Sequence, residues 1–187
     1  DGFLRDDVEA LTPTPAEPPT AGTTVYFSPR NDLELLDWYA ALARQATDGL
    51  FMTFAFGMND LFKDVYRTTT APLRLALLEK ATRSMKDGPE KEAEEEAIQV
   101  LRNMPENLFA IGNFIRTNAI DGWVKEKLTS LNTSVRYVHN KFMLIDPLTD
   151  DPIVIAGSAN FSAASTKNNP GSAVDGHMRA VRRANML

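Results

Sequence analysis

The sequence predicts an α/β fold, a mixed β-sheet flanked by helices on both faces. Strand-length apolar runs alternate with amphipathic helical stretches, and glycine, proline and cap residues punctuate the boundaries. At 187 residues the chain is long enough to bury one good core. Its hydrophobic content of 43% is that of an ordinary globular protein, and no apolar run reaches the roughly 18 residues a membrane span needs. A soluble protein without a transmembrane segment is expected.

Residues 1–22 read as a linker or N-terminal tail, because "TPTPAEPPTAG" is too rich in Pro and Thr for regular hydrogen bonding. "TTVYFSPR" follows as a strand stopped at Ser28-Pro29, with Tyr26 and Phe27 in its core. A helix then starts at the Asn31-Asp32 cap, its stripe formed by Leu33, Leu36, Ala40 and Ala43 with Leu35, Tyr39 and Leu42. "GLFMTFAFG" has the continuous apolar character of a strand covered on both faces. "NDLFKDVYRT" is a capped short helix and "PLRLALLEK" a strand. Pro89 opens a helix whose early glutamates suit the dipole, and "NLFAIG" is a further strand. "DGWVKEKL" reads as a short helix, and "SVRYVHNKFMLID" with "PIVIAGS" as the last two strands. Trp38 and Trp123 are read as packing residues. Residues 170–187 form a tail or insertion of unassigned structure, with small residues followed by a basic end.

Charge narrows the partners. The net charge is −5, and "KDGPEKEAEEE" holds two lysines against six acidic residues, which accounts for most of it. The broad basic surface of a duplex-binding protein is absent from this pattern. Without cysteine there is no disulfide framework and no thiolate chemistry, and two histidines are poor material for a catalytic metal cluster. No metal or cofactor is expected. The chain begins at Asp1 without a basic or apolar leader, which reads as a processed chain or a fragment; the compartment is unassigned.

The chemistry concentrates in "VHNKFMLIDPLTDDPIVIAGSAN". On a strand, His139, Lys141, Met143 and Ile145 share one side, and Asn140, Phe142, Leu144 and Asp146 the other. Alternate positions lie about 7 Å apart, which suits an imidazole and an ammonium converging on one phosphate. Asp146, of opposite parity at the strand end, is better placed to fix a turn or orient a neighbour. The second strand would return Gly157 to Asn160 toward the His139 end. There Gly157 permits close backbone approach, while Ser158 and Asn160 offer hydrogen bonds to phosphate oxygens. Arg179, Arg182 and Arg183 are read as solvated, and His177 as a surface or loop histidine.

His139-x-Lys141-x4-Asp146 followed by Gly157-Ser158-x-Asn160 resembles the HKD signature of the phospholipase D superfamily. "VYFSPR" and the helix after it look like the opening of a second HKD half, so the resemblance covers residues 23–169. It implies an α/β/α sandwich and a metal-independent phosphodiesterase or phosphatidyltransferase with His139, Lys141 and Asp146 as catalytic residues. Lys141, Ser158 and Asn160 would bind phosphate. One motif's histidine would attack phosphorus to form a phosphohistidine, and a second motif's histidine would protonate the leaving alcohol. Lysines and Ser/Asn groups would neutralise the transition state. The second motif would come from a preceding half of the same protein or from a homodimer partner. Charge favours a phospholipid over a nucleic acid as substrate. Two alternatives stand beside this reading, a catalytically inactive phosphate-binding lobe and an HKD-type nuclease. The inactive lobe is motivated by the histidine-orienting acid the family places after its Asn-rich segment, for which "STKNNPG" offers no counterpart and Asp175 is the candidate.

Overall fold

The computed structural model describes residues 2–18, 22–55, 57–78, 87–111, 139–163, 170–174 and 177–180. In chain order these hold α1 (Gly2–Leu11), α2 (Glu34–Arg44), β1 (Gly49–Phe54), α3 (Asp60–Thr68), β2 (Leu73–Leu78), α4 (Pro89–Arg102) and β3 (Asn107–Ile111). Then follow β4 (Lys141–Ile145), β5 (Ile153–Gly157), β6 (Pro170–Val174) and β7 (His177–Ala180). The fold is α/β, with a five-stranded sheet in the order β3-β2-β1-β4-β5 and a separate β6-β7 pair. The sheet is mixed: β1–β2 and β2–β3 are parallel, whereas β1–β4 is antiparallel.

The chain divides into two compact units, Leu42–Ala156 in one and Asp1–Ala41 with Gly157–Leu187 in the other. In the Leu42–Ala156 unit, strand pairing lines up side chains in rows across the sheet. Ile145, Leu50, Arg74 and Asn107 make one row, and Met143, Met52, Ala76 and Phe109 the next. All eight are buried. Helix α3 packs on this face, because Phe62 and Tyr66 recur at helical spacing and meet Phe54 and Phe109 with ring centroids 5.3–6.3 Å apart. Asn59 starts α3 by accepting from the Leu61 amide at 2.9 Å.

Main-chain carbonyls accept from the polar side chains on this face. Tyr66 donates its hydroxyl to the Leu75 carbonyl at 2.7 Å, Arg74 donates to the carbonyls of Ala71 and Tyr66, and Asn107 donates to Leu101 of α4 at 2.9 Å. Burial pushes the Tyr66 phenol well above its ordinary pKa. Strand β1 is largely covered on both faces: Thr53 is as enclosed as Leu50 and Met52, and Phe51 is half-buried.

The Asp1–Ala41 and Gly157–Leu187 unit departs from the sequence reading in three places. Residues 2–11, expected as a tail, form α1, which ends where Thr12 donates back to Val8 and Pro13 blocks a further turn. Acceptors on α1 hold it in place: Glu9 accepts from the Asn31 amide at 2.6 Å, and Asp6 and Glu9 both accept from the Asn31 side chain at 2.8 Å. Residues 23–30, expected as a strand, form none. Instead Phe27 donates its amide to the Thr12 hydroxyl, and buried Arg30 donates to the Thr12 carbonyl at 2.8 Å, so a side-chain network replaces a ladder. Residues 170–174 and 177–180, left unassigned, pair as β6 and β7. Tyr26, Trp38, Tyr39 and Phe161 pack ring to ring in this unit, in line with a packing role for Trp38. The expected helix at 121–128, with Trp123, and the start of the strand at 134–138 lie outside the described residues.

Candidate functional site

Strand β4 carries the centre of the predicted motif. Its alternation holds from Lys141 onward: Lys141, Met143 and Ile145 are buried, while Phe142 and Leu144 are half-buried. The predicted side-sharing does not extend to His139. Strand pairing begins only at Lys141, so His139 and Asn140 precede the pleat and stand exposed. The imidazole is therefore reachable from solvent, while the lysine two residues on is enclosed to 5% exposure.

The Lys141 ammonium turns back and donates to the main-chain carbonyl of His139. Among the described residues it forms no ion pair. Burial pulls its pKa below the usual lysine value. An ammonium in that setting, desolvated and answered by a single neutral oxygen, is matched electrostatically to an incoming anion.

Asp146 lies five residues beyond Lys141, roughly 17 Å along an extended chain, so the two side chains serve different neighbourhoods. It adopts a left-handed conformation with φ 49°, one that aspartate tolerates better than most residues. This turns its carboxylate onto the loop between α2 and β1. There it accepts from the amides of Thr47, Asp48 and Gly49 at 2.8–3.0 Å and from the Thr47 hydroxyl at 3.0 Å. Partial burial pushes the Asp146 pKa up, but these four donors outweigh it and leave the carboxyl below its ordinary value. Its main-chain carbonyl also accepts from the amide and hydroxyl of Thr149, closing the turn toward β5. Asp146 thus anchors the far end of β4.

Ser158, exposed, and Asn160, half-buried, follow β5 in the Gly157–Leu187 segment, which belongs to the other compact unit. Asp175 lies outside the described residues. His177 opens β7 opposite Val174.

Sequence reasoning passed over Thr53. This wholly buried residue of β1 donates its hydroxyl to the Asn140 carbonyl at 2.8 Å and accepts from the Phe142 amide at 3.0 Å. The available signal was a lone hydroxyl in the apolar run "GLFMTFAFG". Among the described residues no group of three or more His, Asp or Glu is gathered as a metal site, and no helix is long and apolar enough to cross a membrane. A scan against protein-family models finds no match, and a search of curated proteins finds none.

Proposed function

We propose that this chain supplies half of a phospholipase D-like phosphodiester site, with His139 as nucleophile and Lys141 as the cation that holds the phosphoryl oxygens. The supporting observation is Lys141 itself, a buried ammonium with no carboxylate partner among the described residues, next to an exposed histidine. A phosphoryl group beside it would supply the missing negative charge and lift its pKa back toward the ordinary value.

In this reading a His139 ring nitrogen attacks phosphorus and the bond to the leaving oxygen breaks. The histidine of a second HKD motif gives that oxygen its proton. The same histidine then takes a proton from water, whose oxygen attacks the phosphohistidine, releasing a phosphomonoester and restoring His139. An acceptor alcohol in place of water gives transfer. The second motif comes from another half of the same protein or from a second copy of this chain. For Ser158 and Asn160 the phosphate-binding role rests on the sequence resemblance alone. Asp146 acts at a distance, by fixing β4. The reaction has no step that needs a metal. Charge balance favours a phospholipid-type diester over a nucleic acid.

The test is turnover by the full-length protein, with chelator present, of phosphatidylcholine vesicles, a chromogenic bis-aryl phosphate and single-stranded DNA. Release of alcohol that falls about a thousandfold or more in His139→Ala, with covalent phosphate trapped on the wild type alone, is expected. Preferential cleavage of DNA would select the nuclease reading. Binding of phosphate without turnover would select the inactive lobe, and activity abolished by chelator would overturn the histidine mechanism.

A further inference from the structure

We infer that the Thr53 hydroxyl is a positioning group that fixes the main chain carrying His139 and Lys141; its catalytic consequence rests on the phosphodiester reading above. Strands β1 and β4 pair regularly from Leu50↔Ile145 through Phe51↔Leu144 to Met52↔Met143. Beyond that pairing Thr53 meets the segment at 140–142 through its side chain. A hydroxyl has one proton to give and two lone pairs. Here the proton goes to the Asn140 carbonyl and a lone pair receives the Phe142 amide, so one buried atom ties the main chain on both sides of Lys141.

A second tie lies one residue upstream, where Lys141 donates to the His139 carbonyl. The carbonyls of residues 139 and 140 are thus both held from the buried side. His139 is exposed, the peptide that follows it is held by Lys141, and the next peptide along is held by Thr53. Such anchoring matters to a nucleophile, since misplacement by about 1 Å can cost a hundredfold in rate.

A purely structural role for Thr53 would rest on its β-branched shape, which valine shares. The hydroxyl is what valine lacks, so Thr53→Val and Thr53→Ser separate the two roles. Both variants are first compared with wild type by circular dichroism and melting, and a parallel pair, Thr53→Ala and Thr53→Ser, serves if the valine variant fails to fold. Amide exchange at Phe142 should quicken at least about tenfold in the hydroxyl-less variant and stay near wild type in Thr53→Ser. In the same samples the ring resonances of His139 should move and those of His177 should not, an assignment made simple by the chain's two histidines.

In steady-state turnover of the bis-aryl phosphate, kcat should fall about 10- to 100-fold with KM within about twofold, and serine should restore kcat to within about threefold. Unchanged Phe142 exchange in a folded Thr53→Val protein overturns the inference, as does an unchanged kcat where the wild type is active. If the wild type turns over no diester, the phosphodiester reading fails by itself. The Phe142 exchange and His139 resonances then still decide whether Thr53 holds this segment.

Discussion

Two lysines in the same compact unit, Lys63 and Lys141, are buried to 4% and 5% exposure, and their surroundings differ in kind. Lys63, on α3, meets Asp60 at 2.8 Å on its own helix and also Glu94 of α4. Among the described residues Lys141 meets one neutral carbonyl. Taking an ammonium out of water is costly, and carboxylates or hydrogen bonds must offset the cost. At Lys63 that compensation comes from within the fold, and the cluster joins α3 to α4. At Lys141 it is incomplete, as the lowered pKa reflects. A buried charge balanced by the fold is a structural device, whereas one that meets no carboxylate among the described residues is what the proposed phosphate role of Lys141 calls for.

The contrast breaks most sharply if Lys141→Met leaves turnover intact. It should instead lower kcat for a phosphodiester by about a hundredfold or more, while the melting temperature holds or rises because an uncompensated charge has left the interior. Lys63→Met should do the reverse. It strands the half-enclosed Glu94 carboxylate and should destabilise the protein by about 2–4 kcal/mol in a urea titration, with kcat preserved in the fraction that remains folded.

Titration separates the lysines further. A folded-state pKa below the unfolded value means that the unfolded chain binds more protons, so the Lys141 penalty is present at neutral pH. It is relieved as pH rises from the lowered folded value toward 10.5. The stability difference between wild type and Lys141→Met should therefore shift in favour of wild type on going from neutral to alkaline pH. Saturating inorganic phosphate should diminish that shift by raising the Lys141 pKa.

Asp146→Asn tests the other end of β4. Loss of a charged acceptor serving four donors should cost about 1–2 kcal/mol at neutral pH, after allowance for solvent screening. Because the folded carboxyl titrates below 3.8, its contribution is present above that pH and is lost as pH falls through the folded value. Denaturation curves of the two proteins should accordingly converge in acid. The smallest effect belongs to the exposed Arg44–Asp64 pair at 2.9 Å, where Arg44→Gln should change stability by less than about 1 kcal/mol.

Much of the sheet was legible because it depends on local pattern. "GLFMTFAFG" gave β1, Asn59 marked the start of α3, Pro89 opened α4, and the apolar runs at 73–78 and 107–111 became β2 and β3. Helix α1 was not legible. Ten residues make a marginal helix in water, and its support comes from Asn31, more than twenty residues away. The stretch 23–30 has strand composition, yet the Phe27 amide and carbonyl are met by the side chains of Thr12 and Arg30. The pairing of β6 with β7 joins segments of only five and four residues that lack an alternating pattern.

The motif residues followed the same division. Their chemical types and spacing are local properties, and the alternation from Lys141 to Ile145 could be read directly. Contact between Thr53 and the segment around Lys141 spans 87 and 89 positions in sequence, and that between Asp146 and the loop at 47–49 spans 97 to 99. Periodicity carries no information over such separations.

The amino-acid sequence alone was enough for the α/β class and for most strand and helix positions, because these follow from side-chain type and near-neighbour spacing. Tertiary structure decided which lysine meets carboxylates among the described residues, where the pleat of β4 begins, and that Asp146 holds a loop. Those outcomes depend on burial and hydrogen-bond partners that folding brings together from distant parts of the chain.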